Sequence, residues 1–94
     1  MVKKVEIART LVLSTAHVSK TTAAWLDTRA VAQYSYPVYA KGKVGWWVYV
    51  DTRLELPKDL AAVMTRAHKE FCTGVMFDAD ANTIDDGSLN VFDW

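Results

Sequence analysis

Between Lys41 and Asp51 the chain reads Lys41-Gly42-Lys43-Val44-Gly45-Trp46-Trp47-Val48-Tyr49-Val50-Asp51. Side chains on a strand alternate between faces, so Val44, Trp46, Val48 and Val50 share one face and Gly45, Trp47, Tyr49 and Asp51 the other. Both faces therefore carry a tryptophan. Lys41-Gly42-Lys43 separates this run from an earlier one beginning at Val31, as a hairpin turn would, and the two runs read as antiparallel strands. Tyr36-Pro37 weakens the earlier run, because proline donates no ladder hydrogen bond, so that strand is expected at an edge.

Helices flank the hairpin on both sides. Upstream, Thr22, Trp25, Leu26, Arg29 and Ala30 fall on one helical stripe, with Ser19 placed to cap the first amides. Downstream, Pro57 opens a helix with Asp59 in its first turn, and Leu60, Val63, Met64, Ala67 and Phe71 form its apolar stripe, Gly74 following its end. Val5–Thr15, centred on Leu11, Val12 and Leu13, reads as a first strand, and Gly74–Asp78 as a last one. The order is β-α-β-β-α-β. It predicts an α+β, split (ferredoxin-like) two-layer sandwich: a four-stranded antiparallel sheet, two helices on one face, and a docked C-terminal segment. The uncovered face would receive Trp47, Tyr49, Thr10, Val12 and Ser14, with Leu11 and Leu13 turned to the helices. Phe92 and Trp94 are expected to cover it, since soluble monomers rarely leave large apolar patches bare.

Ninety-four residues, 51% hydrophobic and 23% charged, fit one globular domain over residues 1–94 and exclude a disordered or repetitive chain. Eleven basic and eleven acidic residues cancel, so there is no global signature of a nucleic-acid or membrane binder. The balance hides a segregation. Residues 1–69 hold all eleven bases against five acids, whereas residues 70–94 hold six acids (Glu70, Asp78, Asp80, Asp85, Asp86, Asp93) and no base. Either the two parts neutralise each other or the molecule presents an acidic pole. The single cysteine, Cys72, reads as a small buried hydrophobe, and with no membrane-length apolar stretch a soluble, cytoplasmic protein is expected.

No complete catalytic or metal motif is present. Asp78-x-Asp80-x-Asn82 opens like a calcium loop, but Thr83 and Leu89 stand where the glycine and bidentate glutamate belong. His68 and Cys72 have helical spacing for two zinc ligands and only His17 to add to them. Ser14, Thr15 and His17 bring hydroxyls near an imidazole, the seed of a hydrolase reading, without a nucleophile elbow. We expect no catalytic residues, no cofactor and no metal. Trp47 and Tyr49 with Lys41 and Lys43 loosely match the stacking platform of single-stranded nucleic-acid binders, which the acidic tail opposes.

Leu11-Val12-Leu13-Ser14-Thr15-Ala16-His17-Val18 near the start, with Phe77-Asp78-Ala79-Asp80 and the closing Val91-Phe92-Asp93-Trp94, resemble an uncharacterised family, domain of unknown function 5983, carried by plasmids, phages and genomic islands. Members more often end in Leu-Pro-x-Tyr-Asp-Trp, and residues 31–43 match poorly. The resemblance implies a mobile-element setting, in which small proteins are often anti-CRISPR-like inhibitors of host defence. The reading it favours is a non-catalytic interaction protein, monomer or homodimer, binding a host protein through Asp78, Asp80, Asp85, Asp86 and Asp93 with Trp47 and Tyr49. That host protein would itself belong to a nucleic-acid-binding defence complex. A single-stranded nucleic-acid module (Lys41, Lys43, Trp47, Tyr49) and a small hydrolase are the alternatives.

Overall fold

The Trp-Trp run forms β3 (Gly45–Tyr49), preceded by β1 (Thr10–Leu13), α1 (Lys20–Val31) and β2 (Val38–Lys41), and followed by α2 (Lys58–Lys69) and β4 (Gly74–Asp78). The computed structural model describes residues 8–31, 36–41 and 45–93. The predicted hairpin turn at Gly42 and Lys43 and the predicted start of β1 at Val5 lie outside them.

The fold is a small α+β domain with a four-stranded sheet and two helices, as the element order predicts. Its strand order is β1-β4-β3-β2, and the sheet is mixed because β1 runs parallel to β4. This departs from the antiparallel, ferredoxin-like split expected from the sequence, in which β1 sits inside. Here β4 takes the inside position, paired along Thr10↔Gly74 to Leu13↔Phe77 on one side and along Gly45↔Asp78 to Tyr49↔Gly74 on the other. Glycine makes the second pairing close: a Cβ on Gly45 would collide with the Phe77 carbonyl. β2 is an edge strand, as predicted from Tyr36-Pro37, and its register against β3 shifts between Val38 and Ala40.

One face of the sheet buries Leu13, Trp46, Val48, Val75 and Phe77 against Leu26 of α1 and Leu60, Val63 and Met64 of α2. Each such side chain contributes roughly 1.5–3 kcal/mol of transfer free energy. Polar groups lock the layers together. The Trp46 indole N–H donates to Asp27 at 3.1 Å. Asp59, read from the sequence only as a dipole complement, accepts from the Ser19 amide and the Thr22 hydroxyl, both at 2.6 Å, and so ties the first turn of α2 to the start of α1. Burial raises the Asp59 pKa, but the hydrogen bonds from Thr22, Ser19 and Leu60 outweigh it and hold the carboxyl below its ordinary range.

The end of α2 corrects a further expectation. Phe71 was placed on the inward stripe, yet the helix stops at Lys69 and Phe71 is 83% exposed. Its N–H bonds the His68 carbonyl and that of Cys72 bonds Ala67, the pairing of a Schellman motif, with Phe71 at φ 59° where glycine is usual. Gly74 follows the end of the helix and opens β4, as the sequence reading has it.

Candidate functional site

Register and parity assign Thr10 and Val12 of β1, Gly74, Met76 and Asp78 of β4, and Trp47 and Tyr49 of β3 to the face opposite the helices. On it four rings meet. Trp47 packs edge-to-face with Tyr49 (4.9 Å between centroids) and Tyr39 (5.5 Å), Tyr39 does the same with Tyr49, and Tyr36 stacks on Tyr49 at 5.6 Å. Such pairs each contribute about 0.5–1.5 kcal/mol beyond the area they bury. The Trp47 indole lies flat over Gly74, where any Cβ would strike its six-membered ring. The face is nonetheless open: Tyr39 is 59% exposed, Val12 56% and Tyr49 37%. Tyr39, Trp47, Tyr49 and Met76 enclose a shallow cleft of about 320 Å³ with an almost wholly apolar lining.

The outermost ring is held from behind. Tyr36 donates its hydroxyl to Asp51 at 2.9 Å, and Asp51 is buried and gripped by Arg53 through Nε, Nη2 and its backbone N–H, all at 3.0–3.1 Å. The Arg53 contacts, with the Tyr36 hydroxyl, keep the Asp51 carboxyl well below the usual carboxylate range, and the same hydrogen bond to Asp51 raises the Tyr36 phenol. Parity puts Asp51 on the aromatic face, and there it meets the hydroxyl of Tyr36, whose ring stacks on Tyr49, with the exposed Arg53 closing over it. The rings are thus fixed before any partner arrives, which lowers the ordering cost of binding.

Of the residues predicted for a binding role, Trp47 and Tyr49 come together as expected. Phe92 does not cover them as anticipated, because its amide bonds the Ala16 carbonyl at 2.7 Å, at the far end of β1; the expectation for Trp94 lies outside the described residues. Lys43 and the Lys41 side chain also fall outside them, so the basic half of a nucleic-acid platform has no described geometry.

The acidic segment does not act as one patch. Asp86 is committed to Arg66 at 2.7 Å and to the Ser88 hydroxyl at 2.6 Å, which hold it at about 2, the Ser88 bonds contributing most. Asp86 still faces solvent, but as one half of an ion pair whose cation α2 supplies and not as a free anion. Asp78 caps the following turn through the Asp80 amide and Asp85 accepts from Thr83. Asp78, Asp80, Asp85 and Asp93 form no ion pair among the described residues.

His17 has both ring nitrogens engaged by backbone groups. The ring is buried, its Nε2 accepts from the Ile84 amide at 2.8 Å, and Nδ1, which then carries the proton, donates to the Asn90 carbonyl at 2.8 Å. Ser14 uses its hydroxyl to accept from the Ala16 amide. The two side chains do not meet. His17 is the clasp of the C-terminal segment, whose Leu89 and Ile84 pack on the core. Cys72 lies past the end of α2 and is buried, so it does not share a helix face with exposed His68, and among the described residues no three His, Cys, Asp or Glu side chains gather to hold a metal. No helix of the described residues is long and apolar enough to cross a membrane.

The family model described as "Family of unknown function (DUF5983) C-terminal domain" matches residues 10–94. The chain belongs to this family. The match to the DUF5983 C-terminal domain takes in the whole described sheet, the aromatic face and the clasped tail. No curated protein and no solved structure matches the chain. Sequence reasoning missed Tyr36, Tyr39 and Asp51 at this site; the one available signal was the density of tyrosines around Pro37.

Proposed function

We propose that this DUF5983 domain is a small non-catalytic binding protein that docks on another protein through the outer face of its sheet. One observation carries the reading: Tyr36, Tyr39, Trp47 and Tyr49 form a preformed aromatic cluster on a face that stays exposed among the described residues. Clustered tyrosine and tryptophan supply large contact area at little conformational cost, the composition of interface hot spots. Asp78 on the same face, with Asp80 in the next turn, adds negative charge beside it. The mobile-element setting implied by the resemblance makes a cytoplasmic host protein the partner, and obstruction of a defence complex the role.

The immobilised domain, incubated with bacterial host lysate, tests this. A protein retained by the native chain and lost with Trp47→Ala and Tyr39→Ala, both variants remaining folded by circular dichroism, supports it. A protein retained equally by those variants and lost with Asp85→Lys overturns it in favour of the acidic tail.

A further inference from the structure

We infer that the cleft between Tyr39, Trp47, Tyr49 and Met76 receives an arginine side chain of the partner protein. The inference rests on the docking reading above and gives that surface its chemistry.

The walls favour a cation. Trp47 and Tyr49 cross at 89°, Tyr39 and Tyr49 at 78°, and Tyr39 and Trp47 at 73°. Three planes so close to mutually perpendicular form a corner, and the planes differ enough that a group seated among them meets ring faces as well as edges. Ring faces carry the negative part of the aromatic quadrupole and attract cations. The molecule already makes one such contact elsewhere, with the Arg29 guanidinium 4.6 Å from the centre of the Trp25 ring.

A carboxylate stands where the far end of a guanidinium would need one. Asp78 is the one carboxylate, and the only Asp, Glu, Lys or Arg, among the described side chains at strand positions of this face, two residues beyond Met76 on β4 and therefore about 7 Å along the strand. It is half-buried, accepts only the Asp80 amide at 2.8 Å, and has no ion pair among the described residues. Of the chain's four arginines, Arg53 is engaged with Asp51, Arg66 with Asp86 and Glu70, and Arg29 with Trp25, while Arg9 sits beside Gly74, at the end of β4 opposite Asp78. A shallow cleft with a carboxylate at one end suits a planar group that stacks and hydrogen-bonds through its edge, which distinguishes guanidinium from the compact, strongly hydrated ammonium of lysine.

Two peptides test the inference: N-acetyl-Gly-Arg-Gly-Arg-Gly amide and its citrulline counterpart, which keeps shape and loses charge. Binding is read from the Trp47 indole and Met76 methyl resonances by NMR. The expected result is that the arginine peptide shifts both signals and binds about tenfold more tightly than the citrulline peptide. Asp78→Asn and Trp47→Leu, the latter keeping apolar area without a π face, each lose about fivefold or more. Equal binding of the two peptides overturns the inference, as does a twelve-nucleotide single strand that shifts the same signals more strongly than the arginine peptide. Silence of both peptides, with lysate capture still dependent on Trp47, overturns the arginine site and leaves the docking surface standing. Capture independent of Trp47 removes the docking reading itself.

Discussion

Replacing His17 by leucine isolates the clasp that secures the C-terminal segment. Leucine has nearly the imidazole's volume, so the cavity contribution is small and the effect comes from two backbone groups left without partners. The Ile84 amide loses an acceptor at 2.8 Å in a partly buried position, costing about 1–3 kcal/mol. The Asn90 carbonyl loses a donor but belongs to an exposed residue that water can reach, so its loss is nearer 0.5–1 kcal/mol. The sum, about 1.5–4 kcal/mol, is a large share of the ~5–14 kcal/mol expected for a domain of this size. In urea the midpoint should fall by roughly 1–3 M, and hydrogen exchange at the Ile84 amide should lose its protection. His17→Gln, whose amide oxygen can reach the place of Nε2, should keep that protection and less than half the destabilisation. A leucine variant that unfolds at the native urea concentration would refute the clasp and return His17 to the pool of candidate functional groups.

The remaining predictions are shorter. Gly74→Ala should drive the Trp47 ring off the sheet, costing about 1–3 kcal/mol by overpacking and altering near-ultraviolet circular dichroism, whereas Thr73→Ala, exposed one residue earlier, should leave that spectrum unchanged. Phe71→Gly should be about 1 kcal/mol more stable than Phe71→Ala in urea melts, since both lose the ring and only glycine adopts the left-handed conformation freely. Acid stability should follow the depressed carboxylates. A carboxyl held below its ordinary 3.8 contributes stability that is complete above that value and disappears as pH falls through the folded one, about 2 for Asp86 and likewise lowered for Asp51 and Asp59. The urea midpoint should therefore drop between about pH 4 and 2, with a shallower fall in Asp86→Asn.

How far the sequence carried depended on whether a signal was local. Alternation assigned Trp46 inward and Trp47 and Tyr49 outward, and β-branched runs with a clear α2 stripe located the four strands and two α-helices, although the run read as a strand from Val31 starts only at Val38, Val31 itself ending α1. The strand order was not legible, because it depends on backbone approach at Gly45 and on which strands pair, neither of which is a periodic property. Phe71 was misread because the stripe's spacing continues one turn beyond the last residue the chain keeps helical. The acidic tail looked uniform in sequence and is not: Asp86 meets Arg66 from an element twenty residues away, an ion pair that charge counting cannot see. The site was half legible. Trp47 and Tyr49 followed from parity, while Tyr39 joins them through the Val38↔Val48 pairing and Tyr36 from the turn before β2, cross-strand neighbours that the period of a single strand does not supply.

Hydroxyl-radical footprinting of the free domain against its complex with the captured partner examines the outer sheet face directly. In the free protein Tyr39, Trp47 and Tyr49 should be oxidised readily, and in the complex all three should be protected while exposed Phe71 reacts as before. Undiminished oxidation of those rings, with protection confined to the segment around Asp80 and Asp85, would contradict the assignment of this face as the binding surface.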